Sequence, residues 1–192
     1  MVQRGDIYIY DGYNYRLINN AKIFPNSQLH ESIKDIFRDD FENIWLLSTE
    51  GSLTRYNSKN GDFKDLTSMI KHEKISVITS KNNETWIATT KGSLFKYANS
   101  KMDSITSFPE LANPLKDIVD ISLGPNKDVF LSTSDGNVMT YSISTQKKEY
   151  LVAPFNNYPE SLRLLTDNYN RLWIGSETKG LFLYDISSKQ FI

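Results

Sequence analysis

Residues 42–57 read ENIWLLSTEGSLTRYN: an apolar run around Trp45, a polar turn with Gly51, and a second run ending in Tyr56. The stretch gathers an aromatic, an acid and a base, as a binding site does. Yet the same frame returns three times. With Trp45 as position 0, a hydroxyl stands at +3 (Ser48), an aliphatic residue at +8 (Leu53) and a tyrosine at +11 (Tyr56). Equal offsets give Trp86, Thr89, Leu94 and Tyr97, then Phe130, Thr133, Val138 and Tyr141, then Trp173, Ser176, Leu181 and Tyr184. A glycine at +6 or +7 completes each copy (Gly51, Gly92, Gly136, Gly180). The copies step by 41, 44 and 43 residues (45 to 86, 86 to 130, 130 to 173), and a truncated one opens the chain, where Gly5 precedes Tyr10. A frame that recurs at such spacing marks a structural unit.

Each unit reads locally as β-structure. NIWLLST and ETWIATT are short continuous apolar runs, as expected of strands buried on both faces. GSLTRY and GSLFKY follow a glycine turn, and Asp135-Gly136 is a hairpin signal. Pairing position 0 with +11 across that turn is expected to set the aromatic opposite the tyrosine. An apolar stretch precedes each hairpin (SIKDIF, ISVIT, DIVDISL, SLRLLT) and a weaker one follows (DFKDL, SITSF, KKEYL, KQFI). Each unit thus holds four strands, a to d, and no segment shows helical periodicity. All six prolines fall between the proposed strands, as internal strands require. The expectation is an all-β chain, a β-propeller of four-stranded antiparallel blades with about four and a half blades present. The half-blade spans residues 1–20, and the blades span 31–66, 74–108, 117–151 and 160–192. An incomplete ring of 18 strands leaves a bare blade face, so association with further blades or a second copy is expected.

Composition excludes several classes. The chain is 39% hydrophobic and 23% charged, as folded domains are. Lys plus Arg (22) nearly balances Asp plus Glu (23), leaving no basic excess for nucleic acid. There are no cysteines, hence no disulfide framework and no cysteine-rich zinc site. No apolar run is long enough to cross a membrane, and residues 1–12 carry no signal-peptide core. No membrane insertion by this segment is expected.

The fourth unit, Asp167-Asn168-Tyr169-Asn170-Arg171-Leu172-Trp173-Ile174-Gly175-Ser176 followed by Gly180-Leu181-Phe182-Leu183-Tyr184-Asp185, resembles the regulator-propeller repeat, D-x-x-G-x-L-W-I-G-T-x-x-G-L-x-x-Y-D. Asp39 to Trp45 is similar. The second and third copies depart from the pattern at Lys81-Asn82-Asn83-Glu84 and at Phe130. Tyr10-Asp11-Gly12-Tyr13-Asn14-Tyr15 resembles the segment that ends the first blade in that family. The resemblance implies the N-terminal part of the periplasmic sensor region of a hybrid two-component system histidine kinase. Its partners would be the remaining propeller blades, downstream sensor domains and an oligosaccharide from complex glycans. A homodimer, a protein-interaction scaffold and a carbohydrate-active enzyme are the alternatives.

No catalytic motif is present: no G-x-S-x-G, H-E-x-x-H, P-loop or G-x-G-x-x-G. No cofactor, metal site or enzyme activity is expected of this segment. Acidic pairs occur at Asp39-Asp40 and at Asp117/Asp120, the first in an a–b turn where polar residues are the plain expectation. The hydroxyl at +3, being repeated, is expected to serve a turn or an inter-blade hydrogen bond. Ligand contacts are expected on the face formed by d–a loops and b–c turns. There His30-Glu31 and His72-Glu73 stand ahead of two consecutive a strands, and Phe155, Asn156 and Tyr158 carry the aromatic and amide groups that suit sugars. Glu50, on a b–c turn, is the residue of the opening stretch that the repeat does not dictate, together with Arg55. The candidate ligand residues are therefore His30, Glu50, His72, Phe155, Asn156 and Tyr158. The structural set is Trp45, Tyr56, Trp86, Tyr97, Phe130, Tyr141, Trp173 and Tyr184.

Overall fold

The structure, a computed structural model, describes residues 6–26, 31–71, 73–108, 111, 117–151 and 161–192. These residues form eighteen strands, the number the repeat predicts. The half-blade is a two-stranded hairpin of β1 (Ile7–Tyr10) and β2 (Tyr15–Ile18). Four antiparallel four-stranded sheets follow in simple chain order. Blade 1 contains β3 (Ile33–Arg38), β4 (Ile44–Ser48), β5 (Leu53–Tyr56) and β6 (Phe63–Asp65). Blade 2 contains β7 (Ile75–Lys81), β8 (Glu84–Thr89), β9 (Ser93–Ala98) and β10 (Lys101–Ser107). Blade 3 contains β11 (Ile118–Leu123), β12 (Asp128–Thr133), β13 (Val138–Ser142) and β14 (Lys148–Tyr150). Blade 4 contains β15 (Arg163–Thr166), β16 (Arg171–Ser176), β17 (Gly180–Asp185) and β18 (Gln190–Phe191). The chain is all-β, a partial β-propeller of four blades and a half. Two single-turn helices that the sequence did not signal, α1 (Asn20–Ile23) and a 3₁₀ turn at Thr67–Ile70, occupy the connections out of β2 and β6.

The residues fall into two compact units, one within Met1–Ile75, Ser80–Thr85 and Tyr97–Met102, the other within Ser76–Thr79, Trp86–Lys96 and Asp103–Ile192. The first has a core of Ile18, Ile23, Phe24 and Leu46, with Ile7, Ile9, Ile44 and Phe63 packed against it. In the second, Trp86, Leu94, Phe108, Val129 and Tyr141 share one cluster, and Phe130, Val138, Leu172 and Tyr184 share another.

The register corrects the expected aromatic–tyrosine pair. Trp45 lies opposite Arg55, and Tyr56 opposite Ile44. Blade 3 pairs Phe130 with Thr140 and Val129 with Tyr141. Blade 4 pairs Trp173 with Leu183 and Leu172 with Tyr184. Position 0 therefore meets +10, and +11 meets −1. One step of register moves a side chain to the other face of the sheet, so the aromatic and the tyrosine of one hairpin point in opposite directions. The tyrosines of blades 2, 3 and 4 lie with the preceding blade's aromatic. The Tyr97 ring meets Trp45 edge-on at 5.3 Å, while Tyr141 and Tyr184 lie in the clusters that contain Trp86 and Phe130.

Two turns fix this register. At the b–c turn, the repeated hydroxyl accepts a backbone N–H: Ser52 N donates to Ser48 Oγ at 2.9 Å and Ser93 N to Thr89 Oγ1 at 3.1 Å. The turn glycine is obligatory at Gly92, where φ is +73° and an added Cβ would lie 2.3 Å from the Phe108 carbonyl oxygen. At the a–b turn the backbone closes from −6 to −2, as in Asp39 N to Asn43 O (3.0 Å), Gly124 N to Asp128 O (2.8 Å) and Asp167 N to Arg171 O (2.9 Å). Position −3 is left-handed in all four blades: Glu42 (φ 67°), Asn83 (63°), Lys127 (61°) and Asn170 (59°). That is the pattern of a three-residue hairpin closed by a residue in the left-handed region, and it is the position at which the regulator-propeller repeat carries glycine. Asparagine tolerates it; a lysine pays about 1 kcal/mol. Replacing Lys127 by glycine is therefore expected to raise stability by roughly 0.5–1 kcal/mol. Chemical denaturation reads this directly, and a destabilised Lys127→Gly variant contradicts the strain assignment.

Candidate functional site

Asp39, the first acid of the Asp39-Asp40 pair, holds its own turn and its tryptophan. Asp39 Oδ1 accepts from the N–H groups of Phe41 and Asn43, both at 2.9 Å, and Oδ2 accepts from the Trp45 indole at 2.8 Å. Asp167 repeats this arrangement around Trp173: Tyr169 N (2.8 Å) and Arg171 N (3.1 Å) donate to Oδ1, and the indole (2.9 Å) to Oδ2. Each aspartate sits six residues before its tryptophan, so the first residue of the repeat orients the seventh. Where the aspartate is missing the pairing lapses. Blade 2 has Ser80 at that position, and the Trp86 indole N–H is buried with no partner among the described residues. Blade 3 has Gly124 and Phe130, and a Cβ on Gly124 would stand 2.8 Å from the Phe130 ring.

Asp40 and Asp120 tether neighbouring segments of the repeat. Asn83 N donates to Asp40 Oδ2 and Leu164 N to Asp120 Oδ2, each at 2.8 Å. Burial raises the Asp120 pKa against the pull of the Leu164 and Ile121 N–H groups and of Arg163. Among the described residues no three His, Cys, Asp or Glu side chains gather to hold a metal ion, and no helix is long and apolar enough to cross a membrane.

Of the ligand residues expected from sequence, His30, His72, Phe155, Asn156 and Tyr158 lie outside the described residues. Glu50 stands exposed on the blade 1 b–c turn, beside Gly51. Two cavities lie in the first unit. One, of about 210 Å³, lies at the a–b and c–d turns and is lined by Phe41, Arg55, Asn83, Tyr97 and Asn99. Arg55 Nη1 donates to the Tyr97 hydroxyl at 3.0 Å, with its guanidinium carbon 5.4 Å from the ring centroid. Its Nε is buried without a partner among the described residues. The sequence hint was that position +10 is otherwise Lys96, Thr140 and Leu183. The other cavity, about 190 Å³, lies at the opposite end of the blade, between the d–a connection and the b–c turn. It is lined by Phe24, Asn26, Glu31, Ser52, Asp65 and Thr67. In the second unit a cavity of about 200 Å³ is bordered by Phe130, Glu149, Tyr184 and Lys189. The Lys189–Glu149 ion pair there (3.0 Å) is exposed on both sides and contributes little.

Blade 4 presents an apolar face. Leu165, Trp173 and Leu183 are aligned across three strands; Leu165 is 65% exposed and Leu181 64%. The residues equivalent to Leu181, namely Leu53, Leu94 and Val138, are fully buried. The half-blade similarly exposes Tyr8, Tyr10, Tyr15 and Leu17.

No family model matches the chain, and no curated protein matches it. Solved structures do. The extracellular domain of BT3049, assigned to a hybrid two-component system of B. thetaiotaomicron, aligns over 98% of this chain and 27% of its own, with a TM-score of 0.69 and 16% identity. The corresponding domain of BT4673 aligns over 93% and 24%, with a TM-score of 0.64 and 18% identity. The WD40 domain of Neurospora crassa Pan2 aligns over 84% and 48%, with a TM-score of 0.59 and 8% identity. This chain thus spans about a quarter of the length of the two B. thetaiotaomicron structures, and at these identities the likeness is one of fold.

The aspartate–tryptophan clamp makes a pH prediction. Burial acts to raise the Asp167 pKa, but hydrogen bonds from the Trp173 indole, the Arg171 side chain and the Tyr169 and Arg171 backbone outweigh it and bring it down to about 2. The unfolded value is about 3.9. A pKa lowered by folding stabilises above the unfolded value, and that stability is lost as pH falls through the folded one. Asp167→Asn should therefore show a shallower loss of melting temperature between about pH 4 and pH 2 than the parent chain. Parallel curves for the two proteins contradict the assignment.

Proposed function

We propose that this chain is a non-catalytic sensor segment of the periplasmic region of a hybrid two-component signalling protein, responding to oligosaccharides released from complex glycans. The observation that carries the reading is the match of its repeated blades, over nearly their whole length, to extracellular domains assigned to such systems. The sequence resemblance to regulator-propeller repeats supports it independently, as does the structural employment of Asp39, Asp40, Asp120 and Asp167. A receptor's output depends on a ligand favouring one of two states. Such a ligand bridges elements, and the d–a loops with Phe155, Asn156 and Tyr158 are the segments proposed to reach it.

A second reading, a protein-interaction scaffold, draws on the exposed Leu165 and Leu181 side chains of blade 4. Apolar patches of this kind mark association surfaces. Calorimetric screening of an oligosaccharide panel against the complete extracellular region separates the two. Saturable binding of at least one glycan, without turnover, is expected. A silent panel together with self-association in light scattering favours the scaffold, and hydrolysis of any glycan overturns the non-catalytic assignment.

A further inference from the structure

The cavity at the d–a and b–c end of blade 1 holds a buried acid that the fold does not use up. Glu31 is 5% exposed, and its position is fixed from two sides. The Asn20 side chain clamps its backbone, Nδ2 donating to the Glu31 carbonyl at 2.6 Å while the Glu31 N–H donates to Asn20 Oδ1 at 3.0 Å. Ser52 Oγ donates to carboxylate Oε1 at 2.8 Å. Oε2 is buried and has no hydrogen-bond partner among the described residues. A clamp between the d–a connection and the b–c turn needs only the first oxygen, so the second is an unmatched acceptor in a preorganised place.

The surroundings define what would satisfy it. Asp65 lines the same cavity, with Oδ1 accepting from Thr67 N at 2.8 Å and Oδ2 from the Asn26 amide. Two carboxylates thus border the space, and no lysine, arginine or histidine lines it among the described residues. The complement of that charge is a cation. A metal ion is disfavoured, because no three carboxylate or imidazole ligands come together among the described residues. An ammonium group instead offers three donors to scattered oxygen acceptors. The ring of Phe24, almost fully buried, provides an apolar wall for the carbon stem that carries it. The volume, about 190 Å³, corresponds to roughly six waters at about 30 Å³ each, which suits a short aliphatic amine. We propose that this cavity binds a primary ammonium group on a short aliphatic stem, with Glu31 Oε2 as its principal acceptor and Asp65 adding charge. The site stands apart from the signalling reading and does not depend on any glycan.

The test is an amide-resolved NMR titration of the full chain with n-propylammonium chloride, n-propanol and calcium chloride, at matched ionic strength. Saturable shifts are expected at the Glu31, Ser52 and Thr67 amides with propylammonium. The neutral alcohol should bind at least about tenfold more weakly, and Glu31→Gln should lose propylammonium affinity by a similar factor, since a charge-assisted hydrogen bond is removed while the Ser52 contact is kept. Should Glu31→Gln lose its dispersed spectrum, Asp65→Asn is read in its place, with weakened propylammonium binding again expected. An absent response, equal responses to the amine and the alcohol, or undiminished amine binding in the folded variant overturns the proposal. Calcium binding at these amides in preference to the amine overturns it in favour of a metal site.

Discussion

The contact between the aromatic of one blade and the tyrosine of the next is the constraint on which the rest of this structure depends. It exists because position 0 pairs with +10 and not with +11. That single step places the two largest side chains of each hairpin on opposite faces, so neither can be buried within its own blade. A four-stranded sheet of this size cannot cover both faces alone, and stacking supplies the cover. Trp45 is fully buried between Phe37, stacked at 5.8 Å, and Tyr97, edge-on at 5.3 Å. Repeat spacing, hairpin register and core formation are thus one physical fact.

The acid that opens the repeat in blades 1 and 4 serves the same end. Asp39 and Asp167 each close an a–b turn and hold an indole N–H, which satisfies a donor that would otherwise be buried unpaired. Blade 2 shows the consequence of losing the acid, a Trp86 N–H with no partner among the described residues. Blade 3 shows the alternative, in which a phenylalanine needs no acceptor and a glycine makes room for its ring. Asp39 and Asp167 are thus employed in turn closure and indole binding. What is individual to one blade is elsewhere, in Arg55 and Glu31, each with a buried polar atom that has no partner among the described residues.

Much of the fold was legible in the sequence because the blade is nearly self-contained: its strands are short, its turns carry glycine or Asp-Gly, and the frame recurs. The +3 hydroxyl read correctly as a turn residue. The register did not read correctly, since an offset of one residue in a hairpin is decided by turn geometry. At −3, Asn83 and Asn170 are residue types that tolerate the left-handed region, but Glu42 and Lys127 give no local sign of that conformation. Nor did sequence indicate the single-turn helices at Asn20–Ile23 and Thr67–Ile70, which are too short for a period to emerge. At the candidate site, Glu31 was visible only as the neighbour of His30, because its significance lies in contacts with Asn20 and Ser52 that are distant in the chain. Arg55 was visible as a departure from the repeat, but its place at a cavity was not.

The central claim is that the tyrosine of blades 2, 3 and 4 couples to the aromatic of the blade before it and not to the one in its own hairpin. Double-mutant cycles by chemical denaturation measure this directly, with Trp45 and Tyr97 as one pair and Trp45 and Tyr56 as the other, each residue replaced by leucine. The account predicts a coupling of about 0.5–1.5 kcal/mol for Trp45 with Tyr97 and additivity to within about 0.5 kcal/mol for Trp45 with Tyr56. Coupling in the second pair and additivity in the first would contradict it.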